Sequence, residues 1–228
     1  MTPTVGGVCW IDLGVADIDT ATAFYRRLFG WTVADPDDTG YRIALLHGHP
    51  VAAFGPAEDP GPPYWTVYVE TGDITAGVAA AEAAGGTVVA APEAAGDAGV
   101  AAIVRSPHGI PISLWQPGNH LGTYLAREHG ALAGVDLRMD PEKSAPFLRL
   151  AFGWQVHPDS TIVHSARIVA TWSAGPTALR PTPWLVRFHV TDVPATRDRA
   201  LELGATPVLE EPGTLIDPTG AAFALTAI

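Results

Sequence analysis

The chain of 228 residues has one cysteine, Cys9, one lysine, Lys143, and two methionines. A single cysteine excludes an intramolecular disulfide and any metal site built from several thiolates. Thirteen Lys and Arg stand against twenty-four Asp and Glu, for a formal net charge of −11. That balance, without a basic cluster, opposes nonspecific attraction to nucleic acid or to an anionic membrane surface. No apolar run is long enough to span a bilayer, because Glu82 and frequent Gly and Pro interrupt the alanine-rich stretches. The opening MTPTVGGVCW lacks both the basic start and the apolar segment of a secretion signal. The expected location is the cytoplasm. Also missing are a phosphate loop, a dinucleotide fingerprint and a nucleophile–base pair, so nothing favours hydride transfer or phosphoryl chemistry.

What is present begins with enough apolar material for a core: hydrophobic residues make up 47% of the chain, which excludes a disordered class. There is also a repeat. FYRRLFGW (24–31) returns as FLRLAFGW (147–154), 123 positions later. The parallel is longer than this phrase. WIDLGVADIDTATAFYRRLFGW (10–31) matches GVDLRMDPEKSAPFLRLAFGW (134–154), and PPYWTVYVETGDI (62–74) matches RPTPWLVRFHVTDV (180–193). AEAAGGTVV (81–89) matches LELGATPVL (201–209), and SPHGIPISLW (106–115) matches DPTGAAFALT (217–226). Trp65 and Trp184 are 119 apart and Gly109 and Gly220 are 111 apart, so the offset shrinks as loop deletions in the second copy would make it. A period this long is no solenoid repeat. It predicts two homologous domains, 1–116 and 133–228, joined by a linker over 117–132.

Each copy reads as strand, helix, three strands, and then the same again. Ile11, Leu13 and Val15 alternate with other residues, as in a strand. Asp17 or Asp19 can cap the helix that follows, and Gly30 stands where a left-handed C-cap is wanted. Ala21, Phe24 and Leu28 share one face of that helix. Pro141 suits the first turn of the equivalent helix. Pro146 lies inside it and is expected to kink it or delay its start. FGW reads as packing: a helix end, its glycine cap and an aromatic on the sheet edge.

The strand "xxDLxVxD", the helix ending "FYxxLFGW", the later "DPxGxxxxLWQP" pattern and the order of four βαβββ units resemble the vicinal oxygen chelate superfamily. That superfamily includes glyoxalase I, bleomycin-resistance proteins and extradiol dioxygenases. PPYW, AAGGTVV and the linker LWQPGNHLG are similar to tandem-domain members. The resemblance covers almost the whole chain and implies an α+β fold: two tandem domains, each a pair of βαβββ units forming a curved mixed sheet with helices on the convex side. It also implies where a metal would sit. The ligand positions fall on Trp10, Thr66 and Ser113 in the first copy, and on Ala133 or Gly134, Leu185 and Ala224 in the second. None is a good ligand for a divalent metal. The expectation is a protein with no metal and no cofactor.

The same positions imply which side chains point inward, since residues alternate along a strand. They are Trp10, Asp12 and Gly14; Thr66, Tyr68 and Glu70; Pro111, Ser113 and Trp115; then Asp136; Leu185, Arg187 and His189; Ala222 and Ala224. Phe54 and Trp172 hold matching places on another strand and are expected to line a cavity. Aromatic walls with a few polar groups suit a small-molecule pocket. Trp10 and Trp115 could stack on a flat ligand, or fill space as core. Arg187 could clamp an acidic oxygen, or pair with Asp12, Asp136 or Glu70. His189 could exchange a proton near neutral pH, or be structural. Two function classes follow. One is a metal-free protein that sequesters a hydrophobic or aromatic small molecule. The other is a cofactor-independent isomerase, cyclase or lyase using Asp12, Arg187 and His189. The expected assembly is a monomer that is internally a pseudo-dimer, or a weak homodimer.

Overall fold

A computed structural model of the chain describes residues 5–57, 61–123, 125–173, 183–209, 211 and 213–228. The N-terminal half holds β1 (Val8–Val15), α1 (Ile18–Phe29), β2 (Thr32–Val33), β3 (Arg42–Leu46), β4 (His49–Pro56), β5 (Tyr64–Glu70), α2 (Ile74–Ala83), β6 (Thr87–Ala94), β7 (Gly99–Arg105) and β8 (Pro111–Pro117). The C-terminal half repeats the order with β9 (Leu132–Arg138), α3 (Pro141–Phe152), β10 (Gln155–Val156), β11 (Thr161–His164), β12 (Arg167–Ser173), β13 (Trp184–Val190), α4 (Val193–Glu202), β14 (Thr206–Pro207), β15 (Thr214–Ile216) and β16 (Ala222–Ala227).

Each half makes its own eight-stranded mixed sheet, ordered β2-β3-β4-β1-β5-β8-β7-β6 and β10-β11-β12-β9-β13-β16-β15-β14. The expected α+β architecture of two tandem domains is therefore present. β1 pairs antiparallel with β5 of the same half. The two halves are not interleaved, so Trp10 and Asp12 share a sheet with Thr66 and Tyr68 rather than with Arg187.

Local chemistry explains the helices. All four start on an aspartate, Asp17, Asp73, Asp140 and Asp192, whose carboxylate accepts a backbone N–H of the first turn. Gly30 and Gly153 close α1 and α3 in the left-handed conformation. α3 begins at Pro141, so Pro146 does not delay it. The bond Pro146 cannot make leaves the carbonyl of Glu142 unpaired, and both residues are exposed, where water can serve it.

The helices lie on the face of each sheet that carries Leu13 and Val15, or Val135 and Leu137, and the two helix-covered faces meet in one core. Trp65 of β5 and Phe188 of β13 touch there, with ring centroids 5.5 Å apart. Tyr25 of α1 packs on Phe223 of β16 at 5.7 Å. The other, open faces consequently point away from each other.

The doubled FGW phrase does more than pack. Trp31 Nε1 donates to the carbonyl of Gly130 at 3.0 Å, and Trp154 Nε1 donates to that of Gly6 at 2.7 Å. Each tryptophan thus holds the chain just ahead of the other half's first strand, a reciprocal exchange.

Candidate functional site

The open face of the N-terminal sheet carries a cleft of about 480 Å³. Asp12 of β1, Thr66 and Tyr68 of β5 and Ser113 of β8 line it, as the alternation requires. Tyr41, Tyr64, Pro62, Pro63 and Glu93 also contribute. So does Trp184, which belongs to the other half and donates its indole N–H to the carbonyl of Pro111 at 2.7 Å.

Asp12 organises the polar side of the cleft. Its Oδ2 accepts the hydroxyl of Tyr68 at 2.7 Å and that of Tyr41 at 3.2 Å. Tyr41 in turn accepts the indole N–H of Trp10 at 3.1 Å. Burial, and then the Asp12 charge, hold the Tyr41 phenol well above its ordinary range, so it stays a neutral donor. Tyr41 precedes β3 and belongs to none of the strands used to locate inward residues, so no period in the sequence points to it.

Trp10 and Trp115 do not line the cleft. Both are buried in a small cluster with Cys9 and Ala53. The segment after β8 doubles back over this end of the face: Gly118 N–H reaches the carbonyl of Ala98, and Thr123 N–H that of Cys9. His120 is wedged in as a result, edge-on to Trp10 at 4.4 Å and with its carbonyl accepting Trp115 Nε1 at 2.9 Å. The expected stacking of these tryptophans on a ligand gives way to edge-to-face packing against His120 of the chain itself. Glu70 lies on the same face, with Oε2 buried and without a hydrogen-bond partner, and desolvation raises its carboxyl above the ordinary range.

Two further expectations are corrected. Phe54 is fully buried in the shared core, against Tyr25, Trp31 and Trp65. The parallel register pairs it with Leu13 and pairs Ala53 with Asp12, so Ala53, not Phe54, shares Asp12's face. Trp172 is likewise in register with Leu137, and its indole donates to the carbonyl of His157. Thr171 takes the inward place.

The open face of the C-terminal sheet is built differently. Asp136 is buried and accepts Ser173 Oγ at 2.6 Å and Thr171 Oγ1 at 2.9 Å. Arg187 Nη2 stands 3.2 Å from its Oδ1, so of the carboxylates considered, Asp136 is the partner. Two residues after Asp136, Arg138 forms an ion pair with Glu211 at 2.5 Å. Leu185 and Ala224 are buried and apolar. His189 keeps a buried Nδ1 with no partner, while its backbone pairs with Gly130 and Ala131. Asp12 and the pair Arg187 and His189 lie on faces directed oppositely and make no common site.

The residues at the family's ligand positions suit no metal. The register places Gly134 opposite Arg187, which makes it, rather than Ala133, the inward residue. Trp10, Thr66, Ser113, Gly134, Leu185 and Ala224 offer neither imidazole nor carboxylate. Among the described residues no three His, Cys, Asp or Glu converge as a metal site would need.

With this geometry in hand, comparison with known proteins is specific. The family model described as a glyoxalase-like domain matches residues 9–115 and again 133–226. The anthracycline biosynthesis protein DauV of Streptomyces sp. (strain C5) is 32% identical over 98% of this chain and 94% of its own. Among solved structures, the Mn(II)-bound glyoxalase from Novosphingobium aromaticivorans superposes with a TM-score of 0.66 at 19% identity, over 98% of this chain and 82% of that one. The 2,3-dioxygenase LapB from Pseudomonas sp. KL28 gives 0.68 at 17% identity, over 100% and 94%. At such identities these two likenesses speak for the fold.

Proposed function

The chain belongs to the glyoxalase-like family, a fold that hosts many chemistries, and from that premise we propose that it binds a small hydrophobic or aromatic molecule without a metal. The observation that carries this reading is the cleft of about 480 Å³ on the N-terminal open face, walled by tyrosines where metal ligands are missing. A space of that size, apolar with few polar groups, suits a molecule of a few fused rings. Burial of the rings would supply most of the affinity, at about 25 cal/mol per Å² of apolar area. The similarity to an anthracycline biosynthesis protein supports a place in natural-product metabolism or resistance, in the cytoplasm. The proton-transfer reading, in which Asp12 acts with Arg187 and His189, loses its geometry because those groups face apart.

The test is calorimetric titration of a hydroxyanthraquinone into protein treated with a chelator, alongside elemental analysis of untreated protein. One-to-one binding is expected in the micromolar range, unchanged by the chelator, with well under one transition metal per chain. Thr66→Trp, which fills the cleft from a half-buried position, should abolish binding while leaving the melting temperature near that of the wild type. One tightly held metal per chain, or equal binding by the filled variant, would overturn the proposal.

A further inference from the structure

His120 is held as a ligand ring would be. Its ring centroid lies 4.4 Å from that of Trp10 and 5.9 Å from that of Trp115, edge-on to both. It belongs to a strap, GNHLGT (118–123), that crosses the open face of the N-terminal sheet. One end is tied to the turn between β6 and β7, where the N–H groups of Gly118, Asn119 and His120 reach the carbonyls of Asp97 and Ala98. The other end is tied to β1, where Thr123 N–H reaches the carbonyl of Cys9. The strand order runs β1-β5-β8-β7, so the strap passes over β5, on which Glu70 stands in register with Trp115.

This strap is weakly anchored. Its one aliphatic side chain, Leu121, is 57% exposed and Asn119 is exposed too, which leaves the His120 ring as the plug. Among the described residues, His120 Nε2 and Thr123 Oγ1 on the strap and Glu70 Oε2 beneath it are buried without hydrogen-bond partners. Opening would return such groups to water, which favours it. Two glycines permit the close approach: a Cβ on Gly122, at φ +90°, would collide with the Cys9 carbonyl, and one on Gly118 would lie 2.5 Å from the carbonyl of Asp97. The cleft also reaches this place, because Tyr41, Tyr68 and Ala101 line it and pack against the cluster of Trp10 and Trp115.

On the reading of the cleft as the binding site, we propose that residues 118–123 are a lid, and that His120 fills a second ring-binding subsite. A planar compound bearing both a carbonyl and a hydroxyl enters that subsite from the cleft by displacing the imidazole. Trp10 and Trp115 then pack against its ring. Trp115 Nε1, released from the His120 carbonyl, donates to the ligand carbonyl, and Glu70 accepts the ligand hydroxyl. The closed lid lowers the apparent affinity by the fraction of molecules it occupies.

The probe is 1-hydroxyanthraquinone, titrated into the full chain. His120→Ala should bind it about tenfold tighter than the wild type, having no ring to displace. In the wild type, hydrogen exchange should show the amides of Gly118 and Thr123 losing about tenfold protection when the probe binds, as a lifted lid requires. Cys9, the only thiol and fully buried, reports the lid without a ligand. Gly122→Ala should speed its labelling by methyl methanethiosulfonate, at a rate insensitive to low urea, which marks local rather than global opening. That variant should also gain affinity for the probe, and it serves if His120→Ala does not fold. Equal affinity of the wild type and both variants, or strap amides that keep their protection when the probe binds, would overturn the lid and leave the cleft as a binding site. No binding by the wild type or by either variant would remove the cleft reading itself.

Discussion

Tyr25 and Asp217 show how much one hydroxyl can hold. Tyr25 is fully buried, donates to Asp217 Oδ2 at 2.9 Å and accepts the indole N–H of Trp65 at 3.3 Å. Asp217 is buried too, and its Oδ1 takes the backbone N–H groups of Thr219, Gly220 and Ala221. Burial, and then the Asp217 charge, push the Tyr25 phenol far above its ordinary range. Tyr25→Phe should therefore destabilise the fold by about 1–3 kcal/mol, through a buried carboxylate oxygen and an indole N–H left without their partner. Chemical denaturation at neutral pH would measure it. In the matching places of the repeat stand Leu148 and Ser106, so the asymmetry is confined to one pair. Glu70 gives a pH signature. Its folded carboxyl is raised by desolvation, so the native state binds the proton more tightly than the unfolded chain does. The stability this residue permits is intact below its unfolded pKa and falls as pH rises toward the folded one. Glu70→Gln should raise the melting temperature at pH 7 and leave it nearly unchanged at pH 4. An equal effect at both values would contradict the assignment.

At the scale of the element, the FGW crossings depend on glycine. Gly130 has φ +85°, and a Cβ built there would lie 2.8 Å from Phe29 Cβ and 3.0 Å from Trp31 Nε1. Gly40 has the same φ and nothing within 4 Å. Gly130→Ala should cost about 2–4 kcal/mol, combining backbone strain with overpacking, whereas Gly40→Ala should cost about 1 kcal/mol from strain alone. Thermal melts of the two variants would separate the contributions. These elements were largely legible beforehand, because aspartate caps, glycine stops and period-two alternation act locally. The open-face residues on β1, β5 and β8 followed from the same alternation. What stayed hidden depends on register. Phe54 and Trp172 follow the face of Leu13 and Leu137 because parallel neighbours in register share a face, and a one-residue difference in register reverses every side chain. Tyr41 and His120 come from segments between strands, where no period constrains direction, and only the folded chain brings them to Asp12 and Trp10.

Over the whole molecule, the two halves share a core that neither completes alone. Tyr25, Phe54 and Trp65 of the first half meet Phe188 and Phe223 of the second in one aromatic cluster. Residues 1–116 expressed alone should bare that apolar face and aggregate or self-associate, and co-expression with residues 117–228 should recover a one-to-one complex on size-exclusion chromatography. A folded, monomeric N-terminal half would contradict the shared core. The intact chain, already paired with itself, is expected to sediment as a monomer of 23.8 kDa.

Trp184 carries that partnership to the cleft. It closes part of the N-terminal cleft from the C-terminal half. If the cleft binds a ligand, the C-terminal half is therefore not free to drift, because its Trp184 shapes what the N-terminal half can hold. Chimaeras that graft the C-terminal half of a relative onto this N-terminal half would inherit a new wall and, with it, an altered ligand range, though every residue on the cleft's own sheet stayed the same.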